Sequence, residues 1–149
     1  MQRTAKTHDE MLQLGVKLGQ IAPAGTCVAL RGTLGAGKTV FAKGVGAGLG
    51  VTQNITSPTF VLMNVYESGR VTLAHCDLYR ISDPDEMTAM GLFELAKESV
   101  TILEWAERGE EEVPVDHVDI LIEFDGDSRV LTIEAHGPRS RALTRKWLA

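Results

Sequence analysis

The segment Gly32-Thr33-Leu34-Gly35-Ala36-Gly37-Lys38-Thr39 has the spacing G-x-x-x-x-G-K-[ST]. Its residue types suit the binding of phosphate. Glycines let a backbone wrap an anion with its N–H groups facing inward, where a Cβ would obstruct. A helix that follows such a turn adds unpaired N–H groups and the positive end of its dipole. In this pattern Lys38 is expected to reach the β- and γ-phosphates of a nucleotide, and the Thr39 hydroxyl to join a Mg2+ shell. Gly32, Leu34, Gly35, Ala36, Gly37 and Val40 are the expected nucleotide contacts around them. The setting fits as well, since an apolar run precedes the turn and a helical pattern follows it.

A phosphate loop of this kind needs an acid near the metal, and two acids compete. Asp77 closes His75-Cys76-Asp77 at the expected end of a strand. The order of loop, helix, polar segment, hairpin and Asp is that of switch-type nucleotidases, where such an Asp touches the metal directly or through water. Glu104 ends the aliphatic run Val100-Thr101-Ile102-Leu103, the usual strand-edge place for a metal ligand or base. The residues alone leave open which acid does which work. Thr56-Ser57-Pro58-Thr59 lies where a switch loop would, so Thr59 joins the candidates, as does Trp105 beside Glu104. His8, His75, His117 and His136 read as structural. No Asn-Lys-x-Asp segment for reading guanine is present, which favours ATP.

These groups need a scaffold. Thr7 and Glu10 form a capping box ahead of Met11, Leu14, Leu18 and Ile21 at helical spacing, and Pro23 and Gly25 end that helix. Thr26–Leu30 is nearly all apolar, the pattern of a strand covered on both faces. A helix is expected over Lys38–Leu49, although Gly44, Gly46 and Gly48 each cost it about 1 kcal/mol relative to Ala. Phe60–Tyr66 and Arg70–Cys76 flank a Gly-containing turn as a hairpin. Ser82–Glu86 starts a helix that Gly91 bends or divides. A strand over Val100–Leu103 and a second hairpin, Val118–Phe124 with Arg129–Ala135, follow. Arg139 to Ala149 reads as a basic, solvated tail.

The 149 residues suffice for one α/β domain over 1–149, with no room for a separate substrate domain. A formal charge of -5, from 15 Lys+Arg against 20 Asp+Glu, disfavours stand-alone nucleic-acid binding. Cys27 and Cys76 lie in apolar runs without metal spacing and read as buried free thiols of a reducing compartment. The start of the chain lacks the apolar region of a secretory signal, and no run reaches the roughly 18 apolar residues that span a bilayer. A cytoplasmic protein without membrane attachment is expected.

Taken together, the phosphate loop, Thr56-Ser57-Pro58-Thr59-Phe60, His75-Cys76-Asp77-Leu78-Tyr79-Arg80 and Ile102-Leu103-Glu104-Trp105 resemble the TsaE (YjeE) family in order and spacing. The resemblance implies a single P-loop NTPase-like domain with a mixed central sheet and flanking helices. It implies ATP/ADP and Mg2+ as ligands, slow hydrolysis by the isolated protein, and a part in forming threonylcarbamoyladenosine in tRNA. The implied partners are TsaB and TsaD, which hold the tRNA, so contact with RNA is indirect. Thr39 and Glu104 are implied as the Mg2+ ligands and Asp77 as a base or water-positioning group. Segments near Glu10 and Arg129 are implied to enclose the nucleotide. Without the resemblance, a small phosphotransferase or a non-catalytic, nucleotide-gated scaffold stay open.

Overall fold

The computed structural model describes residues 1–33, 35–56, 63–79, 83, 85–89, 91–108, 110 and 113–149. Helix α1 spans His8–Ile21, and its N-cap Thr7 accepts the amide of Glu10. The Glu10 carboxylate returns to the amide of Lys6, so the expected capping box closes one residue early. Strand β2 is Cys27–Gly32 and helix α2 is Lys38–Leu49. The first hairpin pairs β3, Met63–Tyr66, with β4, Thr72–Asp77, while its expected start at Phe60 lies outside the described residues. Gly91 does divide the next helical stretch, at φ 73 between α3, Asp85–Ala89, and α4, Leu92–Glu98. Strand β5, Ser99–Glu104, precedes a short 3-10 turn, Ala106–Arg108. The second hairpin is β6, His117–Asp125, with β7, Ser128–His136.

These strands form one mixed sheet, with an added edge strand β1, Gln2–Ala5, in the order β1-β7-β6-β2-β5-β4-β3. The centre is parallel, with β2 between β5 and β6 and β4 beyond β5. Both hairpins and the β1–β7 pair are antiparallel and lie outside that centre. Strand β5 is buried along its whole length, as a central parallel strand covered on both faces must be. Strand β1 was not expected, since four residues carry too little periodicity to read.

The main core lies between the sheet and the α1–α2 pair. Here the glycines of α2 find their reason. A Cβ on Gly44 would stand 2.2 Å from the Leu12 carbonyl oxygen, and one on Gly48 the same distance from that of Val16. Across the interface, a Cβ on Gly15 or Gly19 would stand 2.4 or 2.1 Å from the carbonyls of Phe41 and Val45. The two helices touch backbone to backbone. Lost helix propensity is offset by this close packing.

The expected solvated tail is a correction. Residues Pro138–Trp147 form helix α5, which docks on α1 and the core. Trp147 is buried, donates its indole N–H to the Leu14 carbonyl at 2.9 Å, and meets Phe41 edge-on with ring centroids 5.9 Å apart. Burying a large aromatic contributes about 1.5–3 kcal/mol, enough to order an otherwise basic segment. Arg141, Arg145 and Lys146 stay on the exposed side.

Candidate nucleotide site

Strands β2, β5 and β4 run parallel, so their C-terminal ends lie side by side, where open α/β sheets place their ligands. From β2 the chain turns through the phosphate loop into α2. Gly32, Gly35 and Gly37 adopt φ values of 140, 81 and 114 degrees, which side chains with a Cβ resist. Beside the loop, Asp77 and Glu104 are register partners on β4 and β5 and so project to the same face. That face looks toward α2. The Thr39 hydroxyl on the first turn of α2 meets the Glu104 carboxylate at 3.3 Å.

Glu104 is 3% exposed, and a carboxylate so buried needs partners. Besides Thr39 it has His75, whose Nε2 contacts its second oxygen from β4. His75, read from sequence as structural, therefore braces the candidate metal acid. Lys38, 5% exposed, donates to the carbonyls of Gly32 and Thr33 at 2.6 and 3.0 Å. Its Nζ also lies 4.1 Å from the centre of the Trp105 ring, a cation–π contact. Burial pushes the Lys38 pKa below its ordinary value, opposed by the charges of Glu104, Glu107 and Asp77. Trp105 holds φ 57, unusual for a bulky residue, and this turn carries its ring back over the lysine.

Lys38, Thr39, Asp77, Glu104 and Trp105, with Gly35, Gly37 and Val40, line a cavity of about 240 Å3. A second cavity of about 240 Å3 opens across the loop, lined by Ala36 and again by Gly35, Gly37 and Val40. Its other walls are the β1–α1 junction, Ala5 to His8 with Met11, and the β6–β7 turn, Asp127 with Arg129. Arg129 lines this cavity, its guanidinium 4.1 Å from the Phe124 ring centre. Glu10 instead directs its carboxylate to the Lys6 amide at the helix start. Leu34, Thr59 and Arg80 lie outside the described residues. Sequence reasoning missed Ala5, Lys6, His8 and Asp127 as lining residues, because only strand pairing of β1 with β7 brings them together.

The donor set suits a hard cation. A buried carboxylate beside a hydroxyl offers only oxygen, as Mg2+ prefers. The loop's glycines leave their amides unshielded by side chains, as a polyphosphate requires. The arrangement can thus hold a nucleotide polyphosphate with its metal, between a cluster of polar side chains and a partly apolar recess.

Comparison with known proteins identifies the family. A family model described as threonylcarbamoyl adenosine biosynthesis protein TsaE matches residues 5–131. Similar proteins include the tRNA threonylcarbamoyladenosine biosynthesis protein TsaE of Treponema pallidum, 36% identical over 89% of this chain and 99% of that one. The proteins of that name from Bacillus subtilis and a Nostoc species are 40% and 39% identical, over 82% and 78% of this chain and 77% and 74% of theirs. Among solved structures, that of YdiB from Bacillus subtilis superposes with a TM-score of 0.86 at 30% identity, covering 99% of this chain and 93% of that one. With the family model spanning most of the chain and relatives 36% and 40% identical over 89% and 82% of it, the protein belongs to the TsaE family.

Proposed function

We propose that the chain works as one P-loop ATPase domain over 1–149, binding ATP with Mg2+ in the formation of threonylcarbamoyladenosine in tRNA. The observation that carries the reading is the convergence of Lys38, Thr39, Asp77 and Glu104 on one cavity beside the phosphate loop. Lys38 would meet the β- and γ-phosphates by exchanging its present carbonyl partners for them. Thr39 and Glu104 would hold Mg2+, whose contribution is to neutralise charge on the phosphate oxygens. Asp77, one strand over at the same register, would orient the attacking water and take its proton. Trp105 covers Lys38 and keeps bulk water from the phosphate side. The nucleoside end would lie in the second cavity, against Arg129, His8 and Met11.

No acceptor pocket lined by an arginine cluster accompanies these groups among the described residues, which favours water over a small metabolite as acceptor. TsaB and TsaD are the proposed partners that hydrolysis serves, with tRNA reached through them. The test is reconstitution. Purified TsaB and TsaD, supplied with threonylcarbamoyl-adenylate as the donor, should modify tRNA over repeated cycles when this chain and ATP are present, and the Lys38→Ala chain should fail to sustain the cycles. Equal multi-turnover modification with Lys38→Ala overturns the reading. A Glu104→Gln chain that binds ATP without hydrolysing it, yet supports full turnover, would instead point to a nucleotide-gated scaffold.

A further inference from the structure

On the sheet face opposite the two cavities, the paired ends of β6 and β7 carry four polar side chains in a two-by-two array. His117 is the register partner of His136, and Asp119 that of Glu134. Strand alternation sends all four to one side. The imidazoles of His117 and His136 stack with centroids 4.6 Å apart and planes 15° off parallel. His117 Nε2 stands 3.8 Å from a carboxylate oxygen of Asp119. One donor atom each from His117, Asp119 and His136 lies within 4.8 Å of the other two.

Two details make this array more than a cluster of polar surface groups. His117 Nδ1 lies 2.7 Å from the Pro114 carbonyl oxygen. A carbonyl only accepts, so Nδ1 carries a hydrogen, which leaves Nε2, on the side toward Asp119, as the nitrogen that would ligate a metal. Asp119 is itself oriented by Arg31 Nε, 3.0 Å from each oxygen, including the Oδ2 that faces His117. The Arg31 charge is met in turn by Glu110, so it does not stand alone against an incoming cation.

We propose that His117, Asp119 and His136 form a binding site for a divalent transition metal of the Zn2+ class, separate from the nucleotide and its Mg2+. Zinc–nitrogen bonds of about 2.1 Å at tetrahedral angles put two donors on one ion about 3.4 Å apart. The array, with its donor atoms within 4.8 Å of one another, needs to close by up to about 1.4 Å to reach that spacing, and His136, with its side chain 41% exposed, has room to turn. Glu134 or water completes the shell. Imidazole donors select Zn2+, Ni2+ or Cu2+ over Mg2+, whereas the Thr39–Glu104 pair offers oxygen alone. An ion here would clip the start of β6 to the end of β7, directly before α5.

The test uses the full chain, stripped with chelator and free of nucleotide. Titration with Zn2+ followed by calorimetry should give one ion per chain, undisturbed by millimolar Mg2+. Bound Co2+ should show the intense visible bands of a low-symmetry site with nitrogen ligands. Zn2+ should also raise the melting temperature. His136→Ala, at a part-exposed position, should keep the fold and weaken Zn2+ binding at least tenfold, and Asp119→Asn should weaken it less. ATP binding by each variant verifies its fold. The proposal is overturned if the wild-type chain takes up no Zn2+ at micromolar concentration. It is equally overturned if His136→Ala and Asp119→Asn both bind Zn2+ as tightly as wild type.

Discussion

The two cavities beside the phosphate loop have the same volume, about 240 Å3, yet are built in opposite ways. The side facing Asp77 and Glu104 carries charged side chains at the ends of parallel strands and at the start of α2, and two of them are held by named partners. Glu104 is gripped by Thr39 and His75, and Lys38 by two carbonyls and an aromatic ring. The far side is made of segment ends from β1, α1 and the β6–β7 turn, which meet only because the sheet closes around them. One side is preorganised by side-chain chemistry and the other by packing. Substitutions on the two sides should therefore fail differently, the first in rate and the second in affinity or stability.

The largest effect is expected at Glu104. Glu104→Gln keeps the shape and removes the charge facing Thr39 and Lys38. Losing one preorganised electrostatic group in a buried site costs about 10²–10³ in turnover. Steady-state hydrolysis at saturating ATP should fall by that factor, while a fluorescence titration with nucleotide should shift only a few-fold. A loss of affinity as large as the loss of rate would erase the contrast between the cavities.

Next in size is the helix contact that supports the far side. Gly48→Ala gains about 1 kcal/mol of helix propensity. It also drives a Cβ to 2.2 Å from the Val16 carbonyl, where backbone on both helices leaves nothing flexible to yield. Overpacking of this kind costs about 1–3 kcal/mol, so the net effect is a destabilisation of up to about 2 kcal/mol, a melting-temperature drop of up to roughly 8 °C for a domain of this size. Since Met11 on α1 backs Gly37 of the loop, spreading the helices should loosen nucleotide binding as well. A Gly48→Ala chain that melts at or above wild type would show that the close approach is not what holds α1 in place.

The same contrast explains what could be read in advance. The phosphate loop, Asp77 and Glu104 were legible because local chemistry dictates them: glycine for the turn, a lysine and a hydroxyl at the helix start, acids at strand ends. Helices α1 and α2 and both hairpins followed from periodicity and turn residues in the same way. Strand β1 and the residues it brings to the far cavity were not legible, because four residues gain their structure only from β7. The C-terminal segment was misread for a related reason. Its charges dominate locally, whereas the anchor, Trp147 on Leu14 and Phe41, is a contact across most of the chain. The role of His75 was hidden too, since only the β4–β5 register places it against Glu104.

A smaller effect is expected at Arg129, where the far cavity uses a charge. Arg129→Ala removes one partly exposed cation lining that recess. A lost contact of this kind is worth about 0.5–1.5 kcal/mol, a threefold to tenfold rise in the dissociation constant for ATP. Turnover at saturation should be unchanged. A fall in saturated turnover with affinity intact would place Arg129 with the chemistry instead.

The smallest effect should come from Asp116, which reaches the far cavity only through α5 and α1. Helix α5 begins at Gly137, which has no side chain to cap it. Asp116 takes that role, its carboxylate accepting the amides of Arg139 and Ser140 at 3.1 and 2.9 Å. Burial alone would raise the pKa of Asp116, but the Ser140 hydroxyl, the two amides and the Arg139 charge together hold it below the ordinary 3.8. A carboxylate depressed in the folded state stabilises the fold above its unfolded pKa, and that contribution is lost as pH falls through the lower folded value. Asp116→Ala should therefore cost about 1 kcal/mol at neutral pH, as the loss of a helix cap does. Asp116→Asn, whose single amide oxygen can keep only one of the two amides, should cost somewhat less than Asp116→Ala. The gap between wild type and Asp116→Ala should close in denaturant melts taken progressively below pH 3.8. ATP affinity at neutral pH should stay within about twofold of wild type, because α1 keeps its glycine contact with α2 when the cap on α5 is lost. A larger change would mean that the docked C-terminal helix, rather than the α1–α2 contact, sets the far wall of the nucleotide site.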